Sequence, residues 1–259
     1  DHADIFPDLA AIETQFHHLV RTVPRLGRLI VNGQDAALAR VLARGCWSEV
    51  ERFAQAETAG TGPDWTIGVD GTILLGGAPQ GTLRWSPAAP QLGAHNRMNA
   101  LAAIAAARHA GVPVAHSLAA LAEFRGVARR METRGRACGV TVYDDFSHHP
   151  TAIATTIEGL RREVGRARIL AVLEPRSNTM KLGAMKDRLA ASLEGADRTY
   201  CYAANLGWDA AAALAPLGAR ASAHDDLADL VSAVVREAKP GDHVLVMSNG
   251  GFGGVHGKL

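Results

Sequence analysis

The sequence offers no covalent staple, no membrane span and no dominant charge. Its three cysteines, Cys46, Cys138 and Cys201, are odd in number and lack metal-ligand spacing. They read as free thiols in a reducing compartment, so neither a disulfide framework nor a zinc site is expected. No apolar run approaches the roughly 18 residues that a bilayer span requires, and no signal peptide is visible. A net charge of +1 gives no electrostatic case for a nucleic-acid or membrane-surface partner. Repeats are absent, as is low complexity beyond alanine enrichment. What remains, 47% hydrophobic and 20% charged over 259 residues, describes a soluble globular protein of one large or two medium domains. A cytoplasmic location is the matching expectation. An initiator methionine is also missing: the chain opens on Asp1-His-Ala-Asp4 and stops at Gly257-Lys-Leu259, soon after a glycine-rich loop. A fragment is therefore expected.

Hydrophobic periodicity organises the chain into two parts. Leu9, Ile12, Phe16, Leu19 and Val20 recur at helical spacing. Arg28–Asn32 reads as a buried strand, and residues 35–44 as a helix ended at Gly45. Trp65–Val69 and Thr72–Leu75 flank Asp70-Gly71, a hairpin signal. An Ala-rich helix over 94–110 closes at Gly111, and a short helix is expected over 117–124. Beyond Gly139 strands and helices alternate regularly. Strands are expected at 139–144, 168–173, 198–201, 219–222 and 243–247, with helices at 151–164, 182–193, 208–217 and 227–238. This pattern predicts an α/β fold with a doubly wound, mostly parallel sheet. The domain boundary is placed near 122–126.

Five polar segments carry the chemistry. The densest is Tyr143-Asp-Asp-Phe-Ser-His-His-Pro-Thr151, at the end of a β-branched run and the start of a helix. Open α/β sheets place ligands at such strand ends, and Pro150 suits a first helical turn. Asp1-His2-Ala-Asp4 reads either as a helix cap or as a cation site. In Gly93-Ala-His95-Asn96-Arg-Met-Asn99, the Asn96 and Asn99 amides share a helix face and suit a purine edge, or simply form a polar face. In Glu174-Pro-Arg-Ser-Asn-Thr-Met-Lys181, Arg176 has the fork to grip a carboxylate, and Ser177, Asn178 and Thr179 are small donors ahead of a helix. Ser248-Asn-Gly-Gly-Phe-Gly-Gly254 has glycines that let backbone N–H groups approach a ligand. It has neither dinucleotide-fingerprint spacing nor a Gly-Lys-Ser/Thr ending.

Together with Arg125-Gly-Val-Ala-Arg-Arg-Met-Glu132, these segments resemble, in order, the motifs of the Mur ligases of peptidoglycan synthesis. The resemblance implies that residues 1–124 are the C-terminal part of the central ATP-binding domain, without its P-loop. Residues 125–259 would be the Rossmann-like C-terminal domain. It implies an ATP-dependent, Mg²⁺-requiring ligase that forms an amide bond through an acyl phosphate. Within the family, the Glu174–Lys181 and Ser248–Gly254 segments point to joining of the tripeptide L-Ala-γ-D-Glu-meso-diaminopimelate to UDP-N-acetylmuramate. Addition of L-alanine alone, or a non-catalytic α/β ligand-binding domain, remain the alternatives. By resemblance, His2 would hold Mg²⁺, with His17 and His18 where some relatives carry a carbamylated lysine. His95, Asn96 and Asn99 would lie near the nucleotide. Arg130 would reach the terminal phosphate and Asp145 the nucleotide, both as catalytic groups. Position and chemistry assign His148, His149, Arg176, Ser177, Asn178, Lys181, Ser248 and Asn249 to the peptide.

Overall fold

A computed structural model describes residues 4–58, 62–86 and 93–259. The chain divides into two compact units: residues 6–126, and residues 127–259 together with Asp4 and Ile5.

The first unit runs α1 (Leu9–Thr22), β1 (Arg28–Asn32), α2 (Ala36–Ala43), β2 (Glu49–Gln55), β3 (Trp65–Ile67), β4 (Thr72–Leu75), β5 (Ala78–Thr82), α3 (Ala94–His109) and α4 (Val114–Ala122). Its sheet has the order β1-β2-β3-β4-β5, parallel through β3 and antiparallel thereafter. Asp8 and Asp35 cap α1 and α2 by accepting backbone N–H bonds. Trp65, Ile67, Ile73, Leu101 and Ile104 fill the core between the sheet and α3. Two expectations change here. Strand β1 lies at the sheet edge, and all five of its residues are half-buried, not buried. The periodic face of α1 exists, yet Leu9, Phe16 and Leu19 are exposed while the carboxylate of Glu13 is buried against Arg40 and Arg44.

The second unit runs β6 (Glu132–Ala137), β7 (Val140–Asp145), α5 (Pro150–Val164), β8 (Ile169–Leu173), α6 (Asn178–Lys181), α7 (Leu189–Ser192), β9 (Arg198–Tyr202), α8 (Ala210–Leu214), β10 (Ala221–His224), α9 (Leu227–Glu237) and β11 (His243–Met247). Strand order is β10-β9-β8-β11-β7-β6, with β6 alone antiparallel. Every residue of β8 is buried, as a central parallel strand covered on both faces requires. Ile169, Ala171 and Leu173 pack with Ile153, Ile157 and Leu160 of α5, whereas Leu170 and Val172 pack with Leu230 and Val234 of α9.

The helix expected over 182–193 is broken. Gly183 takes φ +74, a left-handed value that ends α6, and the indole of Trp208 lies where a side chain on Gly183 would go. Trp208 Nε1 also donates to the Met180 carbonyl at 2.7 Å. The chain then continues as a 3₁₀ turn, Lys186–Arg188, and the single turn of α7. The helix expected over 208–217 likewise shortens to α8, followed by a 3₁₀ segment.

Candidate active site at three strand ends

Asp145, Leu173 and Met247 sit side by side in register at the carboxyl ends of β7, β8 and β11. The segments that leave these strands are Phe146–His149, Glu174–Lys181 and Ser248–Gly254. Three polar clusters of the sequence therefore converge at one end of one sheet. Backbone bonds clasp them: Glu174 N–H donates to Met247 O at 3.0 Å, and Ser248 N–H to Asp145 O at 3.1 Å. Ser248, only 1% exposed, donates its hydroxyl to Glu174 Oε2 and accepts from Gly250 N–H at 2.9 Å. The glycine-rich loop is not only backbone. Phe252 and Val255 anchor it in the core on the α9 side of the sheet.

Asp145 is 3% exposed and its carboxylate is already engaged. Oδ2 accepts from Met131 N–H at 2.8 Å. Oδ1 accepts from Ser147 N–H at 2.8 Å, from the Ser147 hydroxyl, and from Thr156 Oγ1 at 3.4 Å. In this conformation it braces the chain before β6 and the turn into α5. Asp144 is buried too. Arg129 Nε lies 3.2 Å from Asp144 Oδ2, and His256 Nε2 lies 3.3 Å from Asp144 Oδ1. Burial lowers the His256 pKa, against the opposing pull of Asp144.

Arg129 and Arg130 divide their work. Both guanidinium groups lie against the Phe146 ring, at 5.3 and 5.2 Å from its centroid. Arg129 is tied inward, with Nη2 donating to Ser248 O and Gly250 O, each at 2.7 Å. Arg130 is exposed and forms no ion pair among the described residues. Arg176 is exposed as well, and its side chain crosses Gly250 so closely that a Cβ there would collide with Arg176 Cδ, Nε and Nη1.

The other expected peptide residues are distributed unevenly. Ser177 caps α6 by accepting from Met180 N–H. Asn178 Nδ2 and Thr179 Oγ1 meet the Asp4 carboxylate at 3.4 and 3.2 Å. Lys181 is exposed at the end of α6. Asn249 Oδ1 is buried without a hydrogen-bond partner. His148 Nδ1 is 2.9 Å from Phe146 O. His149 occupies the N-cap of α5, with Pro150 at the first helical position and a buried Nε2 that has no partner. Burial lowers the His149 pKa, and repulsion from His148 and Arg188 adds to it.

The expected nucleotide residues His95, Asn96 and Asn99 occupy the first turns of α3 in the other unit, with His95 and Asn99 exposed and Asn96 half-buried. His2 lies outside the described residues. Among the described residues no group of three or more His, Cys, Asp and Glu side chains could hold a metal ion, so they supply no test of the Mg²⁺ expectation. No described helix is long and apolar enough to cross a membrane. Sequence reading assigned no role to Arg129, Glu174 or His256. The Arg129-Arg130 doublet, beside a conspicuous acidic pair at 144–145, was the available signal.

Residues 129–250 match the family model for the Mur ligase glutamate ligase domain. The UDP-N-acetylmuramate–L-alanyl-γ-D-glutamyl-meso-2,6-diaminoheptandioate ligase of Escherichia coli K12 is 50% identical over 261 residues, covering 100% of this chain and 56% of that protein. The Haemophilus influenzae ligase of the same name is 42% identical, covering 100% of this chain and 57% of that protein. The crystal structure of a murein peptide ligase from Psychrobacter arcticus superposes with a TM-score of 0.74 at 38% identity, covering 98% of this chain and 55% of that one. The chain thus spans about half the length of the curated relatives it matches. Its motif order, its sheet and these likenesses agree: the chain belongs to the Mur ligase family.

Proposed function

We propose that this chain supplies part of an ATP-dependent ligase that joins L-Ala-γ-D-Glu-meso-diaminopimelate to UDP-N-acetylmuramate. The observation that carries the reading is the 50% identity, over the whole chain, with a relative whose name states that pair of substrates. In the reaction the muramyl carboxylate takes the terminal phosphoryl group of ATP, releasing ADP. The peptide's amine then attacks the acyl phosphate, an amide forms, and inorganic phosphate leaves. Such chemistry asks a protein mainly for positioning and charge neutralisation. Residues 1–124 belong, in this reading, to the ATP-binding domain and 125–259 to the C-terminal ligase domain. Asn96 and Asn99, with His95, serve the nucleotide. Arg130, exposed and without an ion pair among the described residues, is suited to the transferred phosphoryl group. Arg176 meets a peptide carboxylate, with Lys181, His148, His149 and the Ser248–Asn249 backbone around it. Asp145 acts chiefly by holding the segment that carries Arg130, since Met131 N–H rests on its carboxylate. Mg²⁺, when bound, would offset phosphate charge, and His2 is the residue the resemblance assigns to it. Absence of a membrane-crossing helix among the described residues is in keeping with a soluble cytoplasmic enzyme.

The test is a chimera in which this chain replaces the corresponding 56% of the E. coli relative. It is assayed for ADP release with UDP-N-acetylmuramate, ATP and either the tripeptide or L-alanine. Tripeptide-dependent turnover is expected. Turnover with L-alanine alone overturns the tripeptide reading. A folded chimera that releases no ADP with either amine overturns the ligase reading.

A further inference from the structure

We propose that Arg129 is a positioning residue for Arg176, acting through the backbone of Ser248 and Gly250. The inference rests on the peptide-ligase reading only for the identity of the ligand.

Two of the three guanidinium nitrogens of Arg129 are used inside the unit. Its Nε meets the buried carboxylate of Asp144, and its Nη2 donates to two carbonyls, Ser248 O and Gly250 O. The residue itself is held in an unusual conformation, φ +59, a left-handed value that a non-glycine residue adopts only under outside constraint. That constraint is visible. Its N–H donates to Glu132 Oε2 at 2.9 Å and its carbonyl accepts from Phe146 N–H at 2.8 Å. Its guanidinium also lies against the Phe146 ring.

The far end of this arrangement is Gly250. Its carbonyl is fixed by Arg129 and its N–H by the Ser248 hydroxyl, which is itself bonded to Glu174. A residue whose two flanking peptide groups are both held, and which is bare of a side chain, is the surface on which the Arg176 stem lies. Arg176 also belongs to the loop that Glu174 begins. The Ser248–Glu174 bond therefore completes a chain of contacts from Asp144 through Arg129, Gly250 and Ser248 to the Arg176 loop. Arg176 is exposed and makes no hydrogen bond or ion pair among the described residues. A planar fork held on a rigid surface, with its donors unused, suits a carboxylate-bearing peptide. The seat removes part of the entropy that a long side chain otherwise loses on binding.

The experiment uses the 259-residue chain and two variants. Arg129→Lys keeps a charge for Asp144 but removes the fork that reaches Asp144 through Nε and the two carbonyls through Nη2 at once. Gly250→Ala leaves Arg129 and Asp144 intact and places a methyl group under Arg176. Relaxation of the Arg176 Nε–H signal by nuclear magnetic resonance reports whether its side chain is held. In the wild-type chain it should be ordered, and in both variants its order parameter should fall below about 0.6. Unchanged order of Arg176 in Arg129→Lys overturns the proposal. Titration with the tripeptide supplies a second readout. Arg129→Lys should raise the Kd about tenfold in the wild-type background and less than about twofold in the Arg176→Ala background, because the two residues act as one unit. Equal losses in both backgrounds overturn the proposal. If Arg176 loses order in both variants but the wild-type chain binds no tripeptide, the positioning role stands and the substrate reading falls.

Discussion

Replacing Asp145 should first reveal its structural work. In Asp145→Ala two backbone donors, the buried Ser147 N–H and the half-buried Met131 N–H, lose their acceptor. The Ser147 hydroxyl keeps Thr156 as a partner at 2.8 Å and so adds less. An unsatisfied buried donor costs about 1–3 kcal/mol and a half-buried one less, so the two together put the loss at about 3 kcal/mol. For a unit of this size each kcal/mol shifts the midpoint by roughly 2–4 °C, giving a fall of about 10 °C. Asp145→Asn keeps one acceptor oxygen, which can serve the Ser147 side or Met131 but not both. Its amide hydrogens then face the remaining donor, so about half the loss or more should persist. Calorimetry gives the midpoints, and amide exchange gives the location. Met131 and Ser147 N–H should be protected in the wild type and exchange quickly in Asp145→Ala. A variant with a midpoint within about 2 °C of wild type and unchanged protection at both amides would refute the reasoning. Asp145 would then be free for the nucleotide, as resemblance alone suggests.

Much of the second unit was legible because its strands are short, apolar and β-branched. Residues 243–247 were read as a strand that forms with the same ends, and α5 begins at Pro150, where an imino acid costs nothing. β6 was missed for a physical reason. Its residues, Glu-Thr-Arg-Gly-Arg-Ala, are mostly exposed and charged, as suits an edge strand but leaves no hydrophobic alternation to read. Its turn into β7 is Cys138-Gly139, both at positive φ, where a non-glycine first residue hid the hairpin. The break after α6 depends on Trp208, a residue 25 positions after Gly183 by the numbering, and no local window contains both.

The candidate site was legible as clusters and not as a wiring scheme. Polar density in the sequence marks Asp144, Asp145, Arg176 and Ser248, and register at the ends of β7, β8 and β11 brings their segments together. Which charges are used internally was invisible. Adjacent arginines look equivalent in a sequence, yet Arg129 faces Asp144 and two carbonyls while Arg130 is exposed. The same holds in the first unit, where the spacing of Leu9, Phe16 and Leu19 correctly signals a helix but not that this face is exposed.

Four further outcomes are expected. Burial lowers the pKa of His149, His224, His243 and His256, so below the unfolded value of 6.5 the unfolded chain binds protons that the native state does not. Stability should be greatest above that value and decline as pH falls through it, seen as a drop in thermal midpoint from about pH 7.5 to about pH 5.5; a flat profile would contradict it. Burial pushes the Cys201 thiol up to about 12, whereas Cys138 is exposed, so a thiol reagent should label Cys138 in the native chain and Cys201 only on unfolding. Glu13→Ala should destabilise the first unit by about 1–3 kcal/mol in urea unfolding, because a buried carboxylate leaves while Arg40 and Arg44 regain water. Finally, Arg176→Ala should weaken tripeptide binding and leave ATP binding nearly unchanged. The guanidinium is exposed, so the loss should sit at the low end for a charged hydrogen-bonded pair, about 2 kcal/mol or roughly thirtyfold in Kd. Lys181→Ala is the comparison that decides the assignment. Lys181 ends a single-turn helix and lacks the glycine surface under Arg176, so its ammonium is a mobile point charge and its removal should cost less than about threefold. A larger loss from Lys181→Ala than from Arg176→Ala would move the carboxylate to the end of α6 and leave the seat on Gly250 without a substrate role.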